Sequence, residues 1–231
     1  MPSLKFRLSN ITQETPEVKT FRFEPLEPFT FEAGQFVLLR VGGEARAYSI
    51  SSPAYEHKFI DLTIRIGLES YFPKKLEVLS VGDIVEIDGP YGTFTLDPAT
   101  QNAVFIGAGV GIAGLRSLWS ELLRVKPGAR TTIICSARTS GEMIWHEAFD
   151  KMRNAKVIYT LTREQPERWL GELGRIDAEM IKRNVKDVLD NHYYICGPPE
   201  MVSAVEEALI SLGVPVAQIK AEKWGGISGS V

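Results

Sequence analysis

The chain has 231 residues, 44% hydrophobic and 24% charged, with 26 lysines and arginines against 29 acidic residues. That composition excludes a disordered chain, and a net charge of −3 excludes the basic field that holds nucleic acid. Two cysteines cannot supply the four thiolates of a ferredoxin-type iron–sulfur cluster, and three scattered histidines lack ligand spacing, so no metal site is expected. No apolar run approaches the ~18 residues of a membrane helix. The start, Met1-Pro2-Ser3-Leu4-Lys5, lacks the apolar core of a signal peptide. The expectation is a cytoplasmic protein with no membrane span, long enough for two modest domains.

Residues 1–98 read as short strands. Leu4–Leu8, Val18–Phe23 and Phe59–Ile66 alternate, and Val85–Asp88 is a shorter run. Gly, Pro and acidic residues punctuate them closely, which predicts an antiparallel β-barrel or sandwich. The run Gly34–Val41 leads to Arg46-Ala47-Tyr48-Ser49-Ile50-Ser51-Ser52-Pro53. There a cation that forks onto phosphate, an aromatic face and several hydroxyls lie within eight residues. Together they suit a phosphorylated planar ring; the plainer alternative is a strand ending in a Ser-Pro turn with Arg46 solvated. Further on, Ser70 suits the cap of a short helix from Tyr71, so that Gly67–Ser70 could present N–H groups to a phosphate.

The pattern changes near Asp97-Pro98-Ala99-Thr100, and residues 99–231 read as a second domain. Strand-like runs Ala103–Ile106, Thr131–Cys135, Lys156–Leu161, Tyr193–Cys196 and Gln218–Glu222 alternate with helical segments. The helices are expected at Gly114–Val125, Glu142–Lys151, Asp177–Arg183 and Pro199–Leu212. Such a series predicts an α/β parallel sheet covered on both faces. The tail after Trp224 is expected to be flexible.

Gly107-Ala108-Gly109-Val110-Gly111-Ile112-Ala113-Gly114 follows a strand and opens a helix, where small residues let a pyrophosphate approach the backbone. It departs from the dinucleotide fingerprint at Ile112, and Cys135-Ser136-Ala137-Arg138 stands where an acidic residue usually closes the next strand. The alternative is glycines used for strand–helix packing. Cys196-Gly197-Pro198-Pro199-Glu200-Met201 ends another strand at the same ligand-binding edge.

In this order Arg46-Ala47-Tyr48-Ser49, Gly89-Pro90-Tyr91-Gly92, Gly107–Ala113 and Cys196-Gly197-Pro198 resemble the motifs of the ferredoxin–NADP reductase family. Its members join a flavin-binding barrel to a nicotinamide-dinucleotide domain. The resemblance implies that Arg46 binds flavin pyrophosphate, Tyr48 stacks on the isoalloxazine and Ser49 hydrogen-bonds near N5, with Ala47 between them. It implies that Gly67 and Ser70 hold phosphate, that Gly107, Gly109 and Gly111 cradle the dinucleotide, and that Cys196, Gly197 and Met201 lie near the nicotinamide. Ser49, Cys196 and Glu222 are then the catalytic candidates.

Thr162 and Arg163 resemble the family's 2′-phosphate site, which leans to NADPH over NADH, with Arg138 assisting. Glu222-Lys223-Trp224 resembles its Glu-x-aromatic ending, so Trp224 would cover the flavin face and Glu222 would relay protons or meet a partner. FAD is expected, with FMN left open. The implied reaction is hydride transfer from nicotinamide to flavin, then single electrons to a separate carrier: a ferredoxin, a flavodoxin or an oxygenase component. Rival readings are an electron-transfer subunit of a larger complex, a free-flavin reductase, and a non-catalytic flavin- or nucleotide-binding regulator.

Overall fold

The structure, a computed structural model, describes residues 3–66 and 71–224. Gly67 and Ser70, and the tail expected to be flexible, lie outside those residues. Six strands build the amino-terminal half: β1 (Leu4–Thr15), β2 (Val18–Pro25), β3 (Phe36–Val41), β4 (Glu44–Ser49), β5 (Ile60–Arg65) and β6 (Ile84–Tyr91). All pair antiparallel in the order β4-β3-β6-β1-β2-β5. An Ile50–Leu62 bridge brings the two edge strands together, so the sheet closes on itself as a barrel. Period-two alternation fills the interior, where Phe6, Leu8, Phe21, Phe23, Leu39 and Ile87 are buried.

The sequence reading places the Arg46 motif beyond a strand; the structure gives it a strand of its own. Gly42 and Gly43, with φ of +57° and +82°, turn the chain tightly enough for β4 to pair back on β3. The helix α1 (Tyr71–Glu77) lies against this hairpin, where Phe72 is buried.

The carboxy-terminal half is a parallel sheet. Its elements are β7 (Ala103–Ala108), α2 (Ile112–Val125), β8 (Thr131–Ala137), α3 (His146–Asp150), β9 (Lys156–Leu161), β10 (Glu172–Leu173), α4 (Ala178–Asn184), β11 (His192–Gly197), α5 (Pro199–Ser211) and β12 (Ile219–Lys223). The strand order is β10-β9-β8-β7-β11-β12. Alternate residues serve opposite faces: Phe105, Ile133 and Tyr194 pack with α2 and α3, and Val104, Ile134 and Tyr193 with α4 and α5. Asp177 caps α4 as its sequence predicts, accepting from the Met180 N–H at 2.8 Å.

One predicted helix is cut short. The segment expected to be helical from Glu142 gives a 3-10 turn at Ser140–Glu142 and then only α3. Met143 and Ile144 turn into the core instead, and Trp145 takes the left-handed conformation at φ +59°. Tertiary burial of two apolar side chains overrides local helical periodicity here.

Both halves share one apolar seam. Val18, Ala33 and Phe94 belong to the cluster built on α2, which includes Leu115, Leu118 and Trp119. Gly34, at φ +93°, is held against the Phe94 carbonyl too closely for any Cβ. The connecting residues are tied down as well. The buried Tyr194 hydroxyl accepts from the Asp97 N–H at 2.8 Å, and Lys220 Nζ donates to the Thr95 carbonyl at 3.0 Å.

Candidate functional site

Alternation along β4 sends Arg46 and Tyr48 to one face and Ala47 and Ser49 to the other. On the first face, the Tyr48 ring lies 6.2 Å from Phe72 and the Arg46 guanidinium 5.4 Å from the same ring. Arg46 donates to the Ala45 carbonyl at 2.9 Å and to Glu44 at 3.3 Å, while Lys75 draws Glu44 away at 2.9 Å. Burial pushes the Tyr48 hydroxyl well above its ordinary range, so it stays a neutral aromatic surface. Being at the sheet edge, β4 keeps backbone N–H and C=O groups available to a flat heterocycle.

On the second face three distant segments converge. A Cβ placed on Gly114 of α2 would stand 3.2 Å from Ser49 Oγ and 3.8 Å from Cys196 Sγ at the end of β11. Phe36, paired with Ser49 across β3 and β4, meets the Trp224 ring edge to face at 5.9 Å and Tyr91 at 5.9 Å. Trp224 is fixed from behind: its N–H donates to the Gly197 carbonyl at 2.9 Å and its Nε1–H to Glu222 Oε2 at 2.6 Å. The rim therefore offers Tyr48 on one side of β4 and Trp224 on the other, with Ser49 between. These residues fit a flavin ring at the seam.

Cys196 is fully buried, and burial together with the Glu222 carboxylate pushes its thiol well up. That environment keeps the thiol neutral where β11 meets α2. Glu222 pairs with Cys196 across β12 and β11. Burial raises its carboxyl above the ordinary range, partly offset by the Trp224 N–H. Its folded pKa thus exceeds the unfolded one. Its stability contribution is complete below the ordinary glutamate range and is lost as pH rises through the folded value. Glu222→Gln is expected to melt a few degrees above the parent at pH 8, with the gap closing toward pH 4. Thermal melts at the two pH values check this.

The glycine loop divides its labour. A Cβ on Gly107 would stand 2.8 Å from Ile112 Cδ1 and 3.1 Å from Ile112 Cα, and one on Gly111 would stand 2.7 Å from Gly197 Cα. Both are small because the strand, the helix and β11 approach so closely. Gly109, at φ +52°, faces open space and leaves its backbone approachable at the start of α2. No acidic residue occupies the first turn of that helix. The residues fit a dinucleotide phosphate.

Thr162 and Arg163 follow β9 at the same edge. The Thr162 N–H and hydroxyl both donate to the Ala137 carbonyl at 3.0 and 3.2 Å, and the Arg163 N–H donates to the Arg138 carbonyl at 3.0 Å. Arg138 and Arg163 thereby sit side by side and exposed. Met201, in the first turn of α5, lies over Gly197. Gly67 and Ser70 fall outside the described residues. Sequence reading gave no site role to Phe36 or Phe72, and placed Gly114 in the glycine-rich stretch without its contact to Ser49 and Cys196; a glycine inside an otherwise helical run was the one available signal of that approach.

Residues 5–96 match the family described as the oxidoreductase FAD-binding domain, and residues 105–207 that described as the oxidoreductase NAD-binding domain. The chain is 34% identical over 200 residues to a subunit of the Na(+)-translocating NADH-quinone reductase of Methylococcus capsulatus, covering 78% of this chain and 49% of that protein. It spans about half the length of such relatives, up to 61% for the one from Yersinia pseudotuberculosis. Among solved structures it is similar to the Amycolatopsis cytochrome P450 reductase, with a TM-score of 0.86 and 25% identity, covering 96% of this chain and 70% of that one. With two matched domains in tandem on a barrel and a parallel sheet that meet at one rim, the chain belongs to the ferredoxin reductase-like family of flavoprotein oxidoreductases.

Proposed function

We propose that this chain binds FAD at the β4 rim and a nicotinamide dinucleotide at the Gly107–Gly111 loop, and passes electrons on to a separate one-electron carrier. The observation that carries this is the convergence of Ser49, Gly114 and Cys196 at the seam, which sets the flavin motif beside the nucleotide edge. When bound, the flavin supplies the exchange between a two-electron hydride donor and a one-electron acceptor. The protein's part is alignment. Arg46 would neutralise phosphate, Tyr48 and Trp224 would offer aromatic surfaces to the ring, and Ser49 would offer it a hydroxyl. The Trp224 N–H occupies Glu222 Oε2, so a proton on Glu222 rides on Oε1, the oxygen left free to exchange it.

Residues 1–98 and 99–231 are proposed as the flavin and nucleotide units. The acceptor is proposed to be a carrier such as a ferredoxin or flavodoxin, docked weakly and steered by charge. A second reading, an electron-transfer subunit, is favoured by the relatives being named as subunits and being longer than this chain. Among the described residues no helix is long and apolar enough to cross a membrane. The free thiols of Cys135 and Cys196 suit the reducing cytoplasm, the compartment we propose.

For the reductant, the neighbouring Arg138 and Arg163 support NADPH. The Thr162 hydroxyl, already bonded to the Ala137 carbonyl, and the relatives' naming as NADH-quinone reductases support NADH. Thr162→Asp sets a carboxylate beside the two arginines and is expected to cut kcat/KM for NADPH relative to NADH about tenfold. Steady-state rates with an artificial acceptor measure the ratio, and an unchanged ratio rejects the NADPH preference. A visible spectrum of the purified protein, followed by anaerobic titration with each dinucleotide, tests the whole assignment. A colourless protein, or flavin that neither dinucleotide bleaches, rejects it.

A further inference from the structure

Arg65, at the cleft between the two halves, lacks the close carboxylate partner that several arginines elsewhere in the chain have. Arg22 forks onto Asp61 at 2.8 and 2.9 Å, Arg40 meets Asp88 at 2.7 Å, and Arg183 meets Glu172 at 2.8 Å. Arg65, the last residue of β5, makes no such bond. Among the described residues its nearest carboxylates are Glu17, 3.5 Å from Nε, and Glu142, 3.9 Å from Nη2, and the buried Nε makes no hydrogen bond. Neither distance is a charge-assisted hydrogen bond, whose length is about 2.7–2.9 Å. The side chain is only 24% exposed, so this donor is withheld from water as well as from a partner.

Glu142 reaches Arg65 from the other domain. It ends the 3-10 turn that walls the glycine loop, with Gly107, Gly109 and Ser136 on one side and Glu142 and Met143 on the other. The space between them is ≈ 10 Å³, room for about one water. Gly109 is open on its outer side, but a phosphate that settles between the loop and Glu142 must displace that wall. The wall is pinned at both ends. Glu164 accepts from the Ser140 N–H and hydroxyl at 2.5 and 2.8 Å, and the Arg116 guanidinium lies 4.6 Å from the Trp145 ring, on a residue in the left-handed conformation. A carboxylate is also the wrong charge to line an anion site at a helix start.

We propose that Arg65 and Glu142 form a latch across the nucleotide cleft. The Glu142 carboxylate holds Arg65 loosely, and an arriving dinucleotide phosphate displaces Glu142 and takes the guanidinium in a forked hydrogen bond. A phosphate satisfies Arg65 where two distant carboxylates do not, so the exchange favours the nucleotide and draws β5 and the glycine loop together. The latch rests on the reading of Gly107–Gly111 as the dinucleotide site.

The test is calorimetric binding of ADP-ribose, which carries the pyrophosphate without the nicotinamide, to the full flavin-loaded chain at fixed ionic strength. Glu142→Gln is expected to tighten binding about threefold to tenfold, and Arg65→Gln to weaken it about tenfold. In the Arg65→Gln background, Glu142→Gln is expected to change affinity less than about twofold, because the latch has lost its other half. Flavin spectra and melting curves certify each variant, with Glu142→Ala standing in if Glu142→Gln melts early. An unchanged or weakened affinity in Glu142→Gln overturns the latch. Equal tightening with and without Arg65 also overturns it, by reducing Glu142 to simple repulsion. A parent protein with normal flavin but no ADP-ribose binding sinks the nucleotide site itself, and the latch with it.

Discussion

Arg46→Ala is expected to purify with most of its flavin lost. The guanidinium is 41% exposed on its own edge strand and, among the described residues, is held by the adjacent Ala45 carbonyl, a 3.3 Å contact to Glu44 and the Phe72 ring at 5.4 Å. Glu44 is better engaged with Lys75 at 2.9 Å, so most of the Arg46 fork is free for phosphate oxygens. A forked, charge-assisted contact contributes about 1.5–3 kcal/mol, a loss of roughly tenfold to a hundredfold in affinity. Its contact with the barrel core is the Phe72 ring at 5.4 Å, so melting of the flavin-free protein should change little. The ratio of absorbance at the flavin band to that of the protein measures occupancy. Arg46→Lys keeps the charge without the fork and should fall between the two. Full occupancy in Arg46→Ala would place the phosphate elsewhere.

Gly111→Ala is expected to destabilise the whole carboxy-terminal half. The added methyl group would meet the backbone of Cys196 and stand 2.7 Å from Gly197 Cα, between the start of α2 and the end of β11. Main chain cannot swing aside as a flexible side chain does, so helix and strand must part. Overpacking of this kind costs about 3 kcal/mol or more, a fall in melting temperature of roughly 6–12 °C for a chain of this size. Dinucleotide binding should drop with it, since Ser49, Gly114 and Cys196 would separate. Gly109→Ala is the control: its site is open, so its cost is limited to the strain of a positive φ. Equal melting of Gly111→Ala and the parent would mean that the two segments do not approach so closely.

Much of the architecture could be read from residue order. Alternation at Val18–Phe23 and Phe59–Ile66 specified barrel strands, and apolar runs such as Ala103–Ile106 and Thr131–Cys135 specified a buried parallel sheet. Asp177 announced its helix by its capping chemistry. The motif residues Arg46, Tyr48, Ser49, Gly109 and Trp224 could be proposed from sequence because their chemistry is carried by residue type and short spacing. The Glu142–Lys151 helix misled, because its periodicity was local while the burial of Met143 and Ile144 was not.

What sequence determined by itself was therefore most of the strands and helices and the residue types proposed to meet a flavin and a dinucleotide, since burial at periods of 2 and 3.6 and side-chain chemistry are local properties. Only the tertiary structure decided that Gly114 brings Ser49 to Cys196, that Gly111 serves packing, and that Arg65 faces Glu142 across the cleft. Those facts depend on how closely segments 60 to 150 residues apart approach, and close packing of the shared seam, not any short run of residues, sets that distance.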